Sequence, residues 1–200
     1  MGTTTSKTTL GGAIVSTAIL AGIYTGFAVA VMPGLRDADD RTFVTTMQTI
    51  NDAIVNPAFM TVFLGGPALT AAVAWREVRR GGLASRRAQL VLAAVALHLA
   101  GLGLTAGANV PLNDALANAG DPVTMRAPLL AEARAAYEQP WTRRHLLRTG
   151  VTIAALGCLT AAGLAGEGAT RRRRTAGAHA GAAAERSAAP SRSARAAAAR

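Results

Sequence analysis

Half of the 200 residues are hydrophobic, only 4% are aromatic and 16% are charged, and the formal net charge is +10. This balance, with 21 glycines, is typical of packed membrane helices, in which small side chains let backbones approach closely. The single cysteine, Cys158, excludes an internal disulfide and a multi-cysteine metal site.

The first membrane-spanning helix is predicted over residues 10–32, after a polar leader at residues 1–9, because its apolar run is long enough to cross a bilayer. Tyr24 is a polar member of this span. Small residues recur every fourth position along it: Ala18, Gly22, Gly26 and Ala30. Such a stripe predicts close packing against another helix. A cleaved signal peptide is the alternative, but the apolar run exceeds the roughly 7–15 residues of such peptides.

A surface helix and a second span follow. Pro33 should end the first span, because proline lacks an N–H and clashes with the preceding turn. Residues 35–51 then predict an amphipathic helix at the membrane surface, since their apolar residues fall at helical spacing. The second span is predicted over residues 58–75, with a kink at Gly65-Gly66-Pro67 and Trp75 in the interfacial belt.

The third predicted span, residues 90–108, carries three polar residues on one stripe: His98, Thr105 and Asn109. Pro111 should end or kink this helix, and Asn113 follows at once. His98 is expected to be a hydrogen-bonded packing residue, with haem ligation as the alternative. Asn109 and Asn113 either cap the helix end or contact a bound molecule.

A second amphipathic helix is predicted over residues 124–138, and the fourth span over residues 146–164. Arg148 lies just inside the apolar run of that span. Because a charge at membrane depth is costly, the structural interpretation pairs Arg148 with a loop acid such as Asp52 or Glu138. The functional interpretation places Arg148 in a site.

Residues 167–200 are rich in Ala, Gly, Ser and Arg and contain no aromatic residue. Such a segment buries too little apolar surface to offset its ordering entropy, which predicts a disordered tail. The run Arg171–Arg174 directly follows the fourth span, so it is interpreted as a topological signal rather than a specific motif for nucleic acid or lipid. The net charge therefore does not indicate specific nucleic-acid binding.

The loop at residues 76–87 holds five arginines and one acid. The positive-inside rule places this loop and both termini in the cytoplasm, in a multi-pass protein of the cytoplasmic membrane. The predicted fold class is all-α: a four-transmembrane-helix bundle over residues 10–166, with two amphipathic extracytoplasmic loop helices and a disordered tail. Polar side chains then meet at the outer mouth of the bundle and should form one pocket. Its predicted lining is Asn109, Asn113, His145 and Arg148, with Tyr24, Asn56 and Trp141 near its wall.

Five short motifs carry a resemblance: Val31-Met-Pro-Gly-Leu35, Met47-Gln-x-Ile-Asn51, Asn56-Pro-x-Phe-Met60, Asn109-Val-Pro-Leu-Asn113 and Trp141-x-x-x-His-x-x-Arg-Thr149. Over about residues 10–166 they resemble the motif series of a bacterial four-span membrane family of unknown function, labelled anthrone-oxygenase-like. One departure is His145, whose position holds Asn in many members.

The resemblance implies oxidation of a hydrophobic aromatic substrate, an anthrone, to an anthraquinone by O2, without cofactor or metal. Such chemistry needs a base to form the enolate and donors to stabilise its oxygen. The resemblance makes His145 the candidate base and Arg148 a catalytic donor. It makes Asn109 and Asn113 further candidate donors, and the predicted pocket adds Tyr24, Asn56 and Trp141 to them as substrate-binding residues.

The alternative function is a non-enzymatic four-helix membrane protein that binds a hydrophobic ligand or a partner protein. An outer face filled by side chains would favour this alternative, whereas a closed pocket beside His145 would favour the oxygenase.

Overall fold

The computed structural model of the chain describes residues 2–188, which are helical with short turns and contain no strand. The helices are α1 (Gly2–Gly26), α2 (Met32–Leu35), α3 (Asp40–Ala53), α4 (Pro57–Gly81), α5 (Arg86–Leu104), α6 (Val110–Asn118) and α7 (Ala127–Ala188). Four helical segments are long and apolar enough to cross a membrane: Thr8–Leu35, Pro57–Arg80, Arg86–Asn118 and Ala127–Gly166. The predicted all-α architecture with four spans is confirmed.

Pro33 does not end the first span, because a π-helical turn precedes it, and a second such turn precedes Pro111. Phe27–Val31 joins α1 to α2, and Thr105–Asn109 joins α5 to α6. In these turns the N–H of Met32 donates to the carbonyl of Phe27, and that of Val110 to Thr105, five residues back. The wider turn relieves the clash that a proline ring causes in a regular α-helix. Both spans therefore continue past their prolines.

Helices α1 and α4 are in close contact at Gly66. A Cβ atom placed there would lie 3.2 Å from Thr17 Oγ1. Beside it, Ser16 Oγ donates a 3.0 Å hydrogen bond to the carbonyl of Val62, one turn before Pro67, which lies inside the uninterrupted α4. A hydroxyl of the neighbouring helix thus supports the backbone of α4 near its proline.

The stripe of small residues that predicted close packing of α1 faces away from the neighbouring helices. Ala18, Gly22 and Ala30 are exposed, and a Cβ atom at Gly22 or Gly26 would have no neighbour within 4 Å. Since α1 carries small residues on more than one side, spacing alone did not identify the packed face.

The buried apolar residues form two clusters. The inner cluster joins α1, α4, α5 and α7 through Leu10, Ala13, Val73, Ala74, Val91, Ala94, Leu159 and Ala162. The outer cluster joins α2, α3, α6 and α7 through Met32, Phe43, Val44, Met47, Leu116, Leu130, Tyr137 and Trp141. The first predicted amphipathic helix is α3, whose Phe43, Val44 and Met47 are buried.

The second predicted amphipathic helix is not a separate element. Helix α7 passes through Pro140 without a break, because Tyr137 and Trp141, on either side of it, both pack into the outer cluster. The hydroxyl of Thr142 donates to the carbonyl of Glu138 at 2.7 Å, which supports the backbone at the proline.

Hydrogen bonds from two arginines join the loop after α2 to the loop before α7. Arg134 of α7 donates to the carbonyls of Ala38, at 2.6 Å, and Arg36, at 2.8 Å, which follow α2. In return, Arg41 of α3 donates to carbonyls in the loop before α7: Pro122, Val123 and Met125. Each arginine therefore satisfies backbone oxygens of the other loop.

The ends of the chain differ from the sequence-based domain limits. Helix α1 begins at Gly2, within the predicted polar leader, and α7 continues to Ala188, where disorder was predicted from residue 167. Alanine is the strongest helix former, which accounts for a helix in this Ala-rich segment. Residues 189–200 lie outside the described residues, so the predicted disorder of that stretch stays a prediction.

Candidate functional site

The site lies where α5 and α6, with the π turn between them, run antiparallel to α7. Three contacts fix the register of these helices. Asn113 bonds Trp141, the carbonyl of Ala108 accepts from Arg144 at 3.3 Å, and Gly101 packs on Val151 and Thr152. In this register, Thr105 and Asn109 lie at the level of His145 and Arg148.

His145 is fully buried, and both of its ring nitrogens are engaged. Nε2 lies 2.8 Å from the carbonyl oxygen of Tyr24, while Nδ1 receives Nε–H and an Nη2–H of Arg148 at 3.0 and 2.9 Å. Since a carbonyl only accepts, the geometry assigns the proton to Nε2 and the lone pair to Nδ1. The ring stacks on Trp141, with centroids 4.7 Å apart and planes 7° from parallel. His145 is therefore a neutral side chain with an interior partner at each nitrogen.

Arg148 is a partly buried cation without an acidic partner. The predicted pairing with Asp52 or Glu138 is wrong: Glu138 binds Arg134 at 2.7 Å, Asp52 is exposed, and no described carboxylate lies within 4.0 Å of Arg148. Its guanidinium carbon lies 4.4 Å from the ring centre of Tyr24 and 5.4 Å from that of Trp141. A charge at this depth is costly without a counter-ion, so the guanidinium is available to an anionic group.

Asn109 is fully buried, and neither atom of its amide has a hydrogen-bond partner among the described residues. Leaving a buried polar group unsatisfied costs about 1–3 kcal/mol. Its side chain makes no capping hydrogen bond to α6, which removes the capping interpretation. The amide thus has one donor group and one acceptor available to a bound molecule.

Asn113 is occupied by a hydrogen-bonded network instead. Its Oδ1 accepts from Trp141 Nε1 at 2.8 Å and from the Tyr137 hydroxyl at 3.1 Å. Asn51 Nδ2 in turn lies 3.2 Å from that hydroxyl. This network joins α3, α6 and α7 beside His145.

Sequence reasoning did not identify Tyr137 and Asn51 as members of this network. Tyr137 falls within the amphipathic helix predicted over residues 124–138, and Asn51 ends one of the five motifs, but neither received a role in the site. The signal was present, because a buried tyrosine hydroxyl usually finds a hydrogen-bond partner.

Asn56 lies at the end of α4 as an exposed helix cap. Its Oδ1 accepts the N–H of Phe59 at 3.0 Å, which satisfies one of the free donors of the first turn. The structure therefore gives Asn56 a capping contact rather than a place beside His145.

His98 is nearly buried, and its Nε2 lies 3.4 Å from Thr17 Oγ1. This contact is that of a packing histidine. Within the described part of the chain, no three His, Cys, Asp or Glu side chains come together as a metal site would require.

The cavities differ from the predicted pocket. One, of about 290 Å³, lies between α6 and the start of α7 and is lined by Leu112, Ala115, Leu116, Ala119, Met125, Leu129, Glu132, Ala133, Ala136 and Tyr137. A second, smaller cavity has room for roughly one water molecule. Its lining residues are Leu20, Tyr24, Phe63, Pro67, His98, Gly101, Leu102 and Thr152. Neither is lined by Asn109, Asn113, His145 or Arg148, so the closed pocket beside His145 that would favour an oxygenase is not one of these two cavities.

Residues 59–158, half of the chain, match the profile of the anthrone oxygenase family. This match covers Asn109, Asn113, Trp141, His145 and Arg148. Comparison with curated proteins and with solved structures gives no match. The four apolar spans and the profile match, which extends from α4 into α7, lead to one conclusion: the chain belongs to the anthrone oxygenase family.

Proposed function

We propose that this protein is a membrane oxygenase acting on an anthrone-type substrate, a hydrophobic aromatic ketone with an acidic methylene group. The observation that carries the proposal is the occurrence, at one level of the bundle, of a cation without a counter-ion and an amide without a hydrogen bond. Arg148 is a cation with no acid within 4.0 Å, and Asn109 is a fully buried amide with no hydrogen bond. Both donate to an oxygen on which negative charge develops.

The substrate enters the reaction as its enolate, formed when a base in the surrounding water takes a proton from the acidic methylene group. The enolate carbon then forms a bond to O2, and protonation of the distal oxygen gives a hydroperoxide. Loss of water leaves a second carbonyl, so the methylene carbon is oxidised while O2 becomes one carbonyl oxygen and one water. Donors fixed at the enolate oxygen stabilise this charge before it forms, and they act strongly where water is excluded.

We assign to His145 the positioning of Arg148, rather than the role of base that the family resemblance suggested. Protonation of His145 at Nδ1 would displace the two N–H groups of Arg148 that bind there and place two cations in contact. The neutral ring instead holds the guanidinium across the faces of Tyr24 and Trp141, which attract it as cation–π partners.

The experiment is O2 consumption with a soluble anthrone by the purified full-length protein. Arg148→Gln and Asn109→Ala should each lower turnover by about 10²–10³-fold, the usual effect of removing one donor to an oxyanion. Arg143→Gln is the matched control, because Arg143 is exposed on the same helix. A folded Arg148→Gln protein with wild-type turnover would exclude the site.

A second candidate function is binding of a hydrophobic ligand without chemistry, and the apolar cavity between α6 and α7 favours it. Ala136 lines this cavity, whereas its neighbour Ala135 does not. Ala136→Trp should therefore abolish binding of a fluorescent tricyclic aromatic, and Ala135→Trp should leave it intact. Ligand binding by a wild-type protein that turns over no anthrone would favour this second function over the first.

A further inference from the structure

The end of α4 that lies away from His145 carries a positively charged hollow lined by Ala72, Trp75, Arg76, Arg79 and Arg80. Trp75 is 64% exposed. It lies 18 residues after Pro57, a rise of about 27 Å along a helix, which is close to the roughly 30 Å thickness of a hydrocarbon core. This places the Trp75 ring at the level of the lipid headgroups.

Two of the arginine side chains beside Trp75 are held in place by specific contacts. The guanidinium carbon of Arg79 lies 5.2 Å from the centre of the Trp75 ring. Arg76 Nη1 donates to Thr9 Oγ1 at 3.0 Å, which holds this side chain beside α1. Both arginines are thus positioned at the hollow by contacts with neutral groups.

The nearby acid does not neutralise this hollow. Glu77 binds Arg87 at 3.1 Å, and no carboxylate of the described chain lies within 4.0 Å of Arg76 or Arg79. The hollow therefore presents positive charge beside an exposed aromatic ring at the membrane surface.

We propose that this hollow binds the headgroup of an anionic phospholipid. Phosphate oxygens accept charge-assisted hydrogen bonds from Arg76 and Arg79, while the glycerol and upper acyl chains cover Trp75 and Ala72. A free phosphate would satisfy the arginines but leave the apolar half of the site uncovered. The combination of cationic and apolar surface therefore fits a lipid better than a soluble anion.

The test measures the melting temperature of the full-length protein in zwitterionic detergent during titration with phosphatidylglycerol or phosphatidylcholine of the same acyl chains. Phosphatidylglycerol should raise the melting temperature and phosphatidylcholine should not. Arg79→Gln and Arg76→Gln should each weaken the apparent affinity for phosphatidylglycerol by about fivefold, the usual contribution of one basic residue at a charged membrane surface.

Arg126→Gln is the matched control, since Arg126 is exposed in the loop before α7 and should leave the affinity unchanged. Trp75→Leu should weaken binding without changing the charge. Equal responses to the two lipids, or equal losses in Arg79→Gln and Arg126→Gln, would overturn the proposal. An inorganic phosphate titration that reproduces the shift would overturn the lipid assignment in favour of a general anion site.

Discussion

The imidazole of His145 donates to the carbonyl oxygen of Tyr24 at 2.8 Å, so the fourth span is fastened to the first just before the π-helical turn at Phe27–Val31. The same ring accepts from Arg148. The Tyr24 carbonyl therefore fixes the tautomer and the ring orientation of His145, and the ring in turn fixes the position of the Arg148 guanidinium. This arrangement separates a positioning role of His145 from a role as base.

His145→Asn should keep most of the wild-type turnover of an anthrone, whereas His145→Ala should lose about 10²-fold. An asparagine side-chain oxygen accepts from Arg148 as Nδ1 does, but an amide does not serve as a base at neutral pH. Steady-state kinetics of both folded variants distinguish a positioning role of His145 from a role as base. Equal losses in the two variants, with a changed pH profile, would instead show that His145 is the base.

Removing the side chain of Arg134 should destabilise the outer end of the protein. Arg134→Gln breaks its hydrogen bonds to carbonyls after α2 and its ion pairs with Asp40 and Glu138, at a cost of about 1.5–3 kcal/mol. Thermal unfolding in detergent, with Arg126→Gln as control, measures the effect. Equal melting temperatures of the two variants would show that the carbonyls find other partners.

Gly66→Ala should lower the melting temperature, because the new Cβ would lie 3.2 Å from Thr17 Oγ1 and 3.6 Å from the backbone nitrogen of Thr17. Overpacking of this kind costs about 1–3 kcal/mol. Gly22→Ala is the matched control on the exposed side of α1, where a Cβ atom has open space. The packing assignment of α1 fails if Gly22→Ala is the more damaging change.

The stability of α3 should depend on pH through Asp39. Asp39 Oδ1 accepts the N–H of Thr42 at 3.0 Å, and hydrogen bonds from the backbone and then the hydroxyl of Thr42 lower the pKa of Asp39 below its ordinary 3.8. A lowered carboxyl pKa stabilises the fold above the unfolded value, and this contribution is lost as the pH falls through the folded value. The melting-temperature advantage over Asp39→Ala should therefore shrink below about pH 4. A melting-temperature difference between wild type and Asp39→Ala that stays the same at every pH would contradict this prediction.

Cysteine labelling tests the proposed orientation, with both termini in the cytoplasm. In a Cys158→Ala background, an impermeant reagent on intact cells should modify Asp37→Cys and Ala131→Cys but not Ala84→Cys. All three positions are exposed. Ala84 is preferred to Gly82, whose φ of +67° would strain a cysteine. Labelling at Ala84 alone would invert the orientation.

The four spans were predictable because a run of apolar residues long enough to cross a bilayer is a property of local sequence. The continuation of the spans through Pro33 and Pro111 was not predictable from the sequence. The usual rule for proline assumes a regular α-helix, whereas the wider π turns before both residues leave space for the proline ring. Similarly, residues 124–138 and 146–164 were predicted as separate helices, although Tyr137 and Trp141 continue one buried face across Pro140 between them.

The residues of the site were predicted better than their contacts. Trp141, His145, Arg148 and Tyr24 do meet, as ring and cation contacts show. The pairing of Arg148 with Glu138 failed because Arg134 lies four residues before Glu138, the spacing at which helical ion pairs form. The contacts of Asn113 and the isolation of Asn109 depend on the register between α6 and α7, which only the tertiary structure fixes.

The reciprocal contacts of Arg41 and Arg134 also impose an order on biosynthesis. The carbonyls of Arg36 and Ala38 leave the ribosome almost a hundred residues before the arginine that binds them. Until then, the segment between α2 and α3 has no permanent partner for these oxygens, and the segment before α7 completes its own contacts with Arg41 only when both are present. The contacts of Arg41 therefore need only the loop before α7, whereas those of Arg134 also need the first turns of α7 itself.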